Sequence, residues 1–303
     1  MVDRITDTTE SAAQAGKADR SERGNARAAK RWRAVFVIAL VVFIASLIAL
    51  GVIFYSYLQG QQKYDALEET SGIDVSDLSE GSQLGGVTVD WDALKAVNPD
   101  TVGWVYLPDS PINYPVVQGD DNDHYLHYDF DGDAGWLAEY GCIFLDYRNS
   151  ATFLDQASFI YGHNMNDGSM FAIISQMADQ AEFDKHRIVY LLTPYGNYRL
   201  RSFSLVRCSS TDPIVQTSFA NQKEMREYVQ DKIDRSIVDV ADIPKAADIG
   251  KVYAFATCDN TADARYVLFT YVLDTTVTGL EGEVGLDANK NSTWFVDDLT
   301  AKE

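Results

Sequence analysis

The sequence predicts a mainly β domain with helices, in which eight strands form a closed sheet, preceded by one transmembrane helix. From Gly103 onward, short runs of β-branched, aromatic and aliphatic residues alternate with Gly, Pro, Asn and Asp turns. One helical pattern interrupts this series, and one uncharged apolar run lies near the N-terminus. The predicted strands are 104–107, 114–117, 142–145, 158–161, 188–193, 198–209, 252–257 and 266–273.

An amphipathic helix is predicted between the sixth and seventh strands. Asn221 and Glu224 resemble a capping box, in which the Asn side chain caps the helix and Glu occupies its third position. Five residues, four of them apolar or aromatic, then keep helical spacing on one face for about four turns. The residues of this face are Met225, Tyr228, Val229, Lys232 and Ile233. A shorter helical pattern begins at Asp90, before the first strand.

Residues 34–57 are predicted to anchor the chain in a membrane. They carry no charge, and a helix of about 20 apolar residues crosses about 30 Å of hydrocarbon. Six basic residues crowd positions 20–33 directly before them, so the positive-inside rule predicts a cytoplasmic N-terminus and an extracellular domain. The basic residues are Arg20, Arg23, Arg27, Lys30, Arg31 and Arg33. A cleaved signal peptide is the alternative, but its apolar region spans about 7 to 15 residues, so we favour an uncleaved anchor.

The remaining domain boundaries follow from this anchor. Residues 1–33 are polar and end in basic side chains, which predicts a disordered cytoplasmic tail. Residues 58–88 contain helix-breaking glycines and are predicted to form an extracellular stalk or linker. The folded domain is assigned to residues 89–276, followed by a polar C-terminal tail at 277–303.

Net charge differs sharply on the two sides of the anchor. Residues 1–33 carry eight Lys and Arg against five Asp and Glu, whereas the rest of the chain carries 17 against 40, a net charge of −23. Nucleic acid is therefore not an expected partner, because phosphate binding requires basic patches. The acidic surface is explained most simply by solubility. Three cysteines in 303 residues exclude a disulfide-dense scaffold.

A thiol and a guanidinium stand at facing ends of the last two predicted strands. Cys258 ends one strand, Arg265 opens the next, and the polar connector between them has the composition of a turn. Far upstream, another apolar run ends at Gly162 and His163. A thiolate is a nucleophile, an imidazole moves protons, and a fixed cation stabilises an oxyanion. Each residue alone is more often structural, but the three together predict acyl transfer through a thioester.

Several blocks in the same order resemble the sortases, and specifically the class B sortases. The resemblance covers roughly residues 89–274, and several ordered blocks are more specific than any single motif. The blocks are Asn98 to Pro108, Ile112 to Gly119, Gly141 to Asn149, Tyr161 to Phe171, and Thr257 and Cys258 with Arg265. Where the family usually carries Thr-Leu-x-Thr-Cys, this chain has Ala-Phe-Ala-Thr-Cys, with both changes set back in the strand.

The resemblance implies a sortase-type eight-stranded β-barrel with a long helix before the seventh strand. It implies that Cys258 attacks a Thr carbonyl of a sorting signal, that His163 transfers protons, and that Arg265 positions the signal and stabilises the oxyanion. Thr257 is a candidate substrate-binding residue, and no metal or organic cofactor is required. The expected substrates are surface proteins or pilins that carry the signal, and the acceptor amine belongs to a peptidoglycan precursor or to a pilin lysine. A catalytically idle binding module and a hydrolase remain as alternatives.

Other reactive side chains are assigned simpler roles. Cys142 and Cys208 lie in apolar strands, and whether they pair stays open. His124 and His127 have no ligand-spaced Cys or Glu nearby, so packing or surface roles are favoured over metal binding. His186 is expected in a solvated charged turn. Asp259 and Asp263 are interpreted as turn residues, with orientation of His163 or Arg265 as the alternative.

Overall fold

The chain contains one long helix that contributes to two compact units. The computed structural model describes residues 3–76, 78, 83–132, 140–259 and 263–277, with side chains from Lys30 onward. The units are Met1–Ser56 and Tyr57–Glu303, and helix α1 (Asp3–Ser71) belongs to both. The predicted C-terminal tail lies almost wholly outside the described residues.

Helix α1 includes the predicted membrane segment. Its stretch Lys30–Ser71 holds an 18-residue window with a mean hydropathy of 3.1 and no buried residue, so it can cross a membrane by length and composition. The helix begins at Asp3, whereas composition predicted a disordered tail for residues 1–33. Ala, Arg, Glu and Gln are good helix formers, and extending an existing helix avoids the cost of a new nucleus.

Eight strands close into a barrel, as predicted. They are β1 (Thr101–Tyr106), β2 (Asn113–Val117), β3 (Ile143–Leu145), β4 (Ala157–Tyr161), β5 (Ile188–Thr193), β6 (Gly196–Ser209), β7 (Val252–Cys258) and β8 (Ala264–Thr275). Around the barrel the order is β1-β2-β3-β4-β7-β8-β6-β5, and antiparallel pairing of β1 with β5 closes it. Two neighbouring pairs, β2 with β3 and β4 with β7, run parallel.

The other α-helices lie before β1 or in the connections between strands. They are α2 (Trp91–Val97), α3 (His124–His127), α4 (Ala172–Gln176), α5 (Gln180–Lys185) and α6 (Gln222–Asp234). Parallel strands need long crossovers, and the one from β4 to β7 contains α4, α5, β5, β6 and α6. This crossover brings two segments nearly 100 residues apart in sequence into register.

Alternation along the strands separates two apolar clusters. The larger includes Tyr253 and Phe255 of β7 with Leu268 of β8 and residues of the other strands, so it fills the barrel. The other cluster contains the alternate residues of the same strands, such as Ala254 and Phe269, and lies on the outer face. The strands β4, β6, β7 and β8 are thus apolar on both faces.

Helix α6 covers this outer face and confirms the predicted amphipathic helix. Met225, Tyr228 and Val229 are buried in the outer cluster, a contribution of roughly 5–8 kcal/mol before the entropy cost of ordering them. The Asn221 side chain accepts a hydrogen bond from the Glu224 backbone N–H at 3.0 Å. The Glu224 carboxylate accepts from the Ala220 N–H at 2.8 Å rather than from Asn221, so the reciprocal capping bond reaches one residue further back.

The segment predicted as a stalk packs on the barrel. Tyr64, Ile73 and Leu84 are all buried, and Leu84 and Leu78 contact Tyr190 of β5. Apolar residues at irregular spacing gave no sequence signal for this packing. The described residues of 58–88 are therefore part of the same compact unit as the barrel.

His186 is buried, not solvated as its charged neighbours suggested. It is 2% exposed; its Nδ1 lies 3.1 Å from the Pro108 carbonyl oxygen and its Nε2 lies 3.4 Å from a Glu182 carboxylate oxygen. The charged residues around it turn outward at the end of α5, while the ring turns inward, where Nδ1 can donate to the Pro108 carbonyl.

Lys251, immediately before β7, is buried beneath aromatic rings. It is 4% exposed, its Nζ donates to the Phe153 carbonyl, and it lies 5.7 and 5.3 Å from the ring centroids of Tyr198 and Tyr253. Burial lowers the pKa of Lys251 from 10.5 to about 7, against a smaller opposing effect of Asp155.

This lysine makes stability depend on pH. Above its folded pKa of about 7 the native state has lost the proton that the unfolded chain keeps up to its pKa of 10.5. The free energy of unfolding therefore rises with pH in this window, by up to about 1.4 kcal/mol per pH unit. Lys251→Met should abolish this rise, while the Tyr253 hydroxyl still donates to the Phe153 carbonyl at 3.1 Å. Urea denaturation of residues 57–303 across the window measures it, with the exposed Lys245→Met as control; equal slopes in wild type and Lys251→Met would disprove the assignment.

Candidate active site

The thiol and the guanidinium meet across two neighbouring strands. Strand β7 pairs antiparallel with β8, and the register places Cys258 directly opposite Arg265. Directly opposed residues point to the same face, with their Cβ atoms about 5 Å apart. The Cys258 side chain is exposed and Arg265 is half-buried. The predicted meeting of these two residues thus follows from the strand register.

The histidine reaches the same place from the other side of β7. Strand β4 pairs parallel with β7, with Tyr161 level with Ala256, and the Gly162 N–H donates to the Ala256 carbonyl at 3.1 Å. Continuing this register by two residues brings His163 level with Cys258. The backbone positions of His163, Cys258 and Arg265 therefore lie at the ends of three adjacent strands.

Gly162 is required where the chain leaves β4. A Cβ built there would lie 2.4 Å from Ile143 Cδ1 and 2.8 Å from the Phe171 ring, so a larger residue would have to displace these side chains or the backbone. The Phe171 N–H also donates to the His163 carbonyl at 2.8 Å. The loop after β4 thus folds back tightly and holds His163 close to the barrel.

A side chain of this loop is bonded to the nucleophile's own backbone. Asn164 Nδ2 donates to the Cys258 carbonyl at 2.9 Å, and Asn164 forms an isolated β-bridge with Met170. The bond joins the loop that carries the histidine to the strand that carries the thiol. Asn164 belongs to the motif noted in the sequence, but its position there carries no sign of this contact.

The imidazole of His163 is oriented by a backbone carbonyl. Its Nε2 lies 2.6 Å from the Leu126 carbonyl oxygen, in helix α3. A carbonyl oxygen only accepts, so Nε2 must hold the hydrogen. In the neutral ring Nδ1 then carries the lone pair that can take a proton. Because the partner is main chain, sequence reasoning had no signal for it.

Thr257 and Asp259 flank the nucleophile but face elsewhere. Successive strand residues point to opposite faces, so the Thr257 hydroxyl lies on the other side of β7 from Cys258, buried and with no hydrogen-bond partner among the described atoms. Contact between this hydroxyl and a substrate stays a prediction. The Asp259 carboxylate is 8% exposed and binds Arg207, whose Nε donates at 2.7 Å. The backbone carbonyl of Asp263 accepts a hydrogen bond from the Ser210 N–H, which extends the pairing of β6 with β8; a turn role for the Asp263 side chain stays a prediction.

A buried carboxylate supports the strand end before His163. Asp146 accepts hydrogen bonds from Tyr161 Oη at 2.8 Å, Arg148 Nε at 2.8 Å and Asn122 Nδ2 at 3.0 Å. Burial opposes ionisation, but these hydrogen bonds outweigh it and lower the pKa of Asp146. Burial and the Asp146 charge raise the pKa of Tyr161, whereas the positive charges of Arg148 and Arg265 lower it. The Arg265 guanidinium is therefore close enough to Tyr161 to influence the pKa of its hydroxyl.

The remaining cysteines and histidines stay outside the reaction centre. Cys142 and Cys208 are free and buried, the first in the barrel core and the second in the outer cluster, so they do not pair. Burial raises the pKa of both thiols, which makes them poor nucleophiles. The His124 ring stacks on Tyr128 with centroids 4.7 Å apart. Among the described residues, no cluster of three or more His, Cys, Asp or Glu can hold a metal ion.

A closed eight-stranded barrel that carries an exposed cysteine at the end of one strand, with a histidine and an arginine at the ends of its two neighbours, is typical of a cysteine-dependent acyl transferase. No model of a known protein family matches the chain. It is 30% identical over 225 residues to sortase B of Listeria monocytogenes serovar 1/2a (strain ATCC BAA-679 / EGD-e), covering 72% of this chain and 89% of that protein. The chain therefore belongs to the sortase B family.

Other relatives agree with this assignment. Sortase B of Staphylococcus aureus (strain NCTC 8325 / PS 47) is 28% identical over 235 residues, covering 76% of this chain and 91% of that protein. A solved Staphylococcus aureus sortase B–substrate complex superposes with a TM-score of 0.62 at 25% identity, covering 72% and 98% of the two chains. A crystal structure of sortase B complexed with triglycine superposes with a TM-score of 0.61 at 25% identity, covering 71% of this chain and 97% of that chain. The protein is thus a sortase-type cysteine transpeptidase.

Removing the Asn164 side chain should slow the reaction more than it weakens the fold. Asn164→Ala deletes the bond to the Cys258 carbonyl, and misplacement of reacting groups by about 1 Å costs up to about 100-fold in rate. The free energy of unfolding should fall by only about 1 kcal/mol, the usual value of one neutral hydrogen bond. Transfer kinetics and urea denaturation measure the two effects. The exposed Asn166→Ala in the same loop is the control, and a rate loss shared by both variants would contradict this role.

Proposed function

We propose that this sortase cleaves a sorting signal at a threonine and joins the acyl fragment to an amine of peptidoglycan, which attaches surface proteins to the cell wall. The observation that carries the proposal is the alignment of His163, Cys258 and Arg265 at the ends of adjacent strands. The substrate complex and the triglycine complex of related sortases support a peptide substrate and an amine acceptor.

The first half of the reaction forms a thioester. The Cys258 thiolate attacks the carbonyl carbon of the scissile Thr-x bond, and Arg265 stabilises the oxyanion. The C–N bond then breaks as the His163 imidazolium gives a proton to the departing amine. The Leu126 carbonyl accepts from Nε2 in both protonation states of the ring. The proton is therefore exchanged at Nδ1.

The second half returns the enzyme to its starting state. The acceptor amine attacks the thioester carbonyl and loses a proton to the neutral His163, the C–S bond breaks, and Cys258 leaves as a thiolate. One amide bond is broken and one is made, so no oxidant, metal or nucleotide is consumed. Thr257 is retained here as a candidate substrate-binding residue beside the nucleophile.

The apolar part of α1 supports a membrane-bound location. We infer that it is a single-pass signal anchor, with the N-terminus in the cytoplasm and residues 57–303 outside the cell. The length and hydropathy of the helix and the basic residues before it are the support for this orientation. An extracellular domain would lie on the same side as surface proteins and the cell wall.

Intact-mass spectrometry tests the chemistry directly. Residues 57–303 are incubated with a panel of peptides of the Leu-Pro-x-Thr-Gly and Asn-Pro-x-Thr types, with and without amine acceptors. We expect an acyl adduct on wild type and none on Cys258→Ala, because only the thiolate can form the thioester. The adduct should resolve to an amide only when an amine is present.

The other outcomes of this experiment separate the alternatives. A preference for a pilin lysine over a cell-wall amine would replace wall anchoring by pilus assembly. Release by water at an undiminished rate would indicate a hydrolase. A folded protein whose Cys258 alkylates but accepts no peptide would leave a binding module as the better explanation.

Arg265→Lys tests the proposed oxyanion role. Lysine keeps the charge but loses the planar donor fork of arginine, so the geometry of stabilisation is lost. We expect kcat/KM to fall by roughly 10²–10³, the range for removing one oxyanion donor. Steady-state kinetics with the preferred peptide measure it. The exposed Arg226→Lys on α6 is the matched control, and wild-type kinetics in Arg265→Lys would refute the role.

A further inference from the structure

The C-terminal part of α1 packs against the segment that enters β3. The Tyr140 hydroxyl lies 3.1 Å from the Tyr57 carbonyl oxygen, and the Tyr140 ring lies against Gly60, where a Cβ would come within 2.4 Å of it. Lys63 binds Asp129 at 2.8 Å. Two turns of the helix therefore contact the residues that precede β3. Such specific contacts are not expected of a mobile linker.

Tyr64 is the buried member of this contact. It is 6% exposed, and its hydroxyl donates to the Gly141 carbonyl at 2.6 Å. Its ring also packs edge-to-face on Tyr114 with centroids 5.1 Å apart. The Tyr114 hydroxyl accepts from the Met170 N–H at 3.2 Å, and Met170 bridges to Asn164 beside His163. Tyr64 thus contacts both Gly141 and Tyr114, and Tyr114 in turn binds the loop that carries His163.

Gly141 lies directly against the histidine and its hydrogen-bond partner. Its φ of +55° and its crowding both require glycine. A Cβ there would lie 2.8 Å from the Tyr125 carbonyl oxygen, 2.9 Å from the Leu126 carbonyl oxygen and 3.1 Å from His163 Cδ2. The backbone at Gly141 therefore limits where the Leu126 carbonyl and the imidazole can sit.

We infer that Tyr64 is a positioning residue for His163, acting through Gly141 and Tyr114. Its hydroxyl holds the Gly141 backbone against the Leu126 carbonyl, which in turn holds the Nε2-protonated tautomer of the ring. The segment between the apolar part of α1 and the barrel is then a component of the catalytic unit. The inference rests on the proposed role of His163 as the proton carrier.

Tyr64→Phe tests the inference, because it removes one oxygen atom and keeps the ring. The full chain is placed in lipid nanodiscs with ¹⁵N-labelled histidine, and the His163 signals are assigned by their absence in His163→Gln. In alkaline solution, where imidazole is neutral, wild type should show the Nε2-protonated tautomer alone. Tyr64→Phe should show a mixture of tautomers, because the Leu126 carbonyl is no longer held in place.

Kinetics give a second readout on the same samples. With a sorting-signal peptide and triglycine as probes, Tyr64→Phe should lower kcat about fivefold with KM unchanged, since the hydrogen bond that is lost supports the position of His163 through Gly141 and does not lie in the peptide site. Tyr253→Phe is the matched control. It removes another buried tyrosine bond to a carbonyl, at 3.1 Å to Phe153, nearer the opposite end of β7.

The outcomes are separable. A wild-type tautomer signature in Tyr64→Phe, or the same kcat loss in Tyr253→Phe, would overturn the positioning role and leave Tyr64 as a packing residue. If wild type transfers no peptide at all, the proposed function fails, but the histidine signals still decide whether Tyr64 sets the ring.

Discussion

The parallel pairing of β4 with β7 is the constraint on which the site depends. It alone sets His163 level with Cys258, and antiparallel pairing of β7 with β8 then adds Arg265. Parallel strands cannot be joined by a tight turn. The chain therefore travels through α4, α5, β5, β6 and α6 before it returns. Helix α6, which is part of this crossover, covers the outer face of the same strands. The connection therefore also buries the outer apolar cluster of the strands it joins.

Around this pairing, buried polar groups fix the ends of the strands. Asp146 holds Tyr161 before the histidine, and Asp259 holds Arg207 just after the nucleophile. Each carboxylate is buried and compensated by cationic or hydroxyl donors, without which it would cost several kcal/mol. Lys251 lies near the other end of β7, where its neutral form fits the aromatic core. Polar groups thus mark both ends of the strand that carries the thiol.

The reacting groups themselves are held mostly by main chain. The Leu126 carbonyl orients the imidazole, Asn164 binds the Cys258 carbonyl, and Gly141 and Gly162 allow the backbone to approach closely. Backbone contacts keep the geometry while leaving the Cys258 side chain exposed and Arg265 half-buried. Catalysis by acyl transfer needs this combination, because positioning must be rigid while the nucleophile stays accessible.

Local chemistry was sufficient for much of this protein. Short runs of β-branched, aromatic and aliphatic residues between turn residues predicted all eight strands to within three residues, and the Asn221 cap predicted α6, because these patterns act over a few neighbouring residues. The residue types Cys, His and Arg likewise predicted the reaction class. Only the tertiary structure decided what residues distant in sequence do to each other. Burial of His186, packing of residues 58–88, the pairing of Asp259 with Arg207, and the Leu126 carbonyl behind His163 all depend on strand register and barrel closure. Strand register and barrel closure produce no periodic pattern in the amino-acid sequence, so sequence patterns could not predict these contacts.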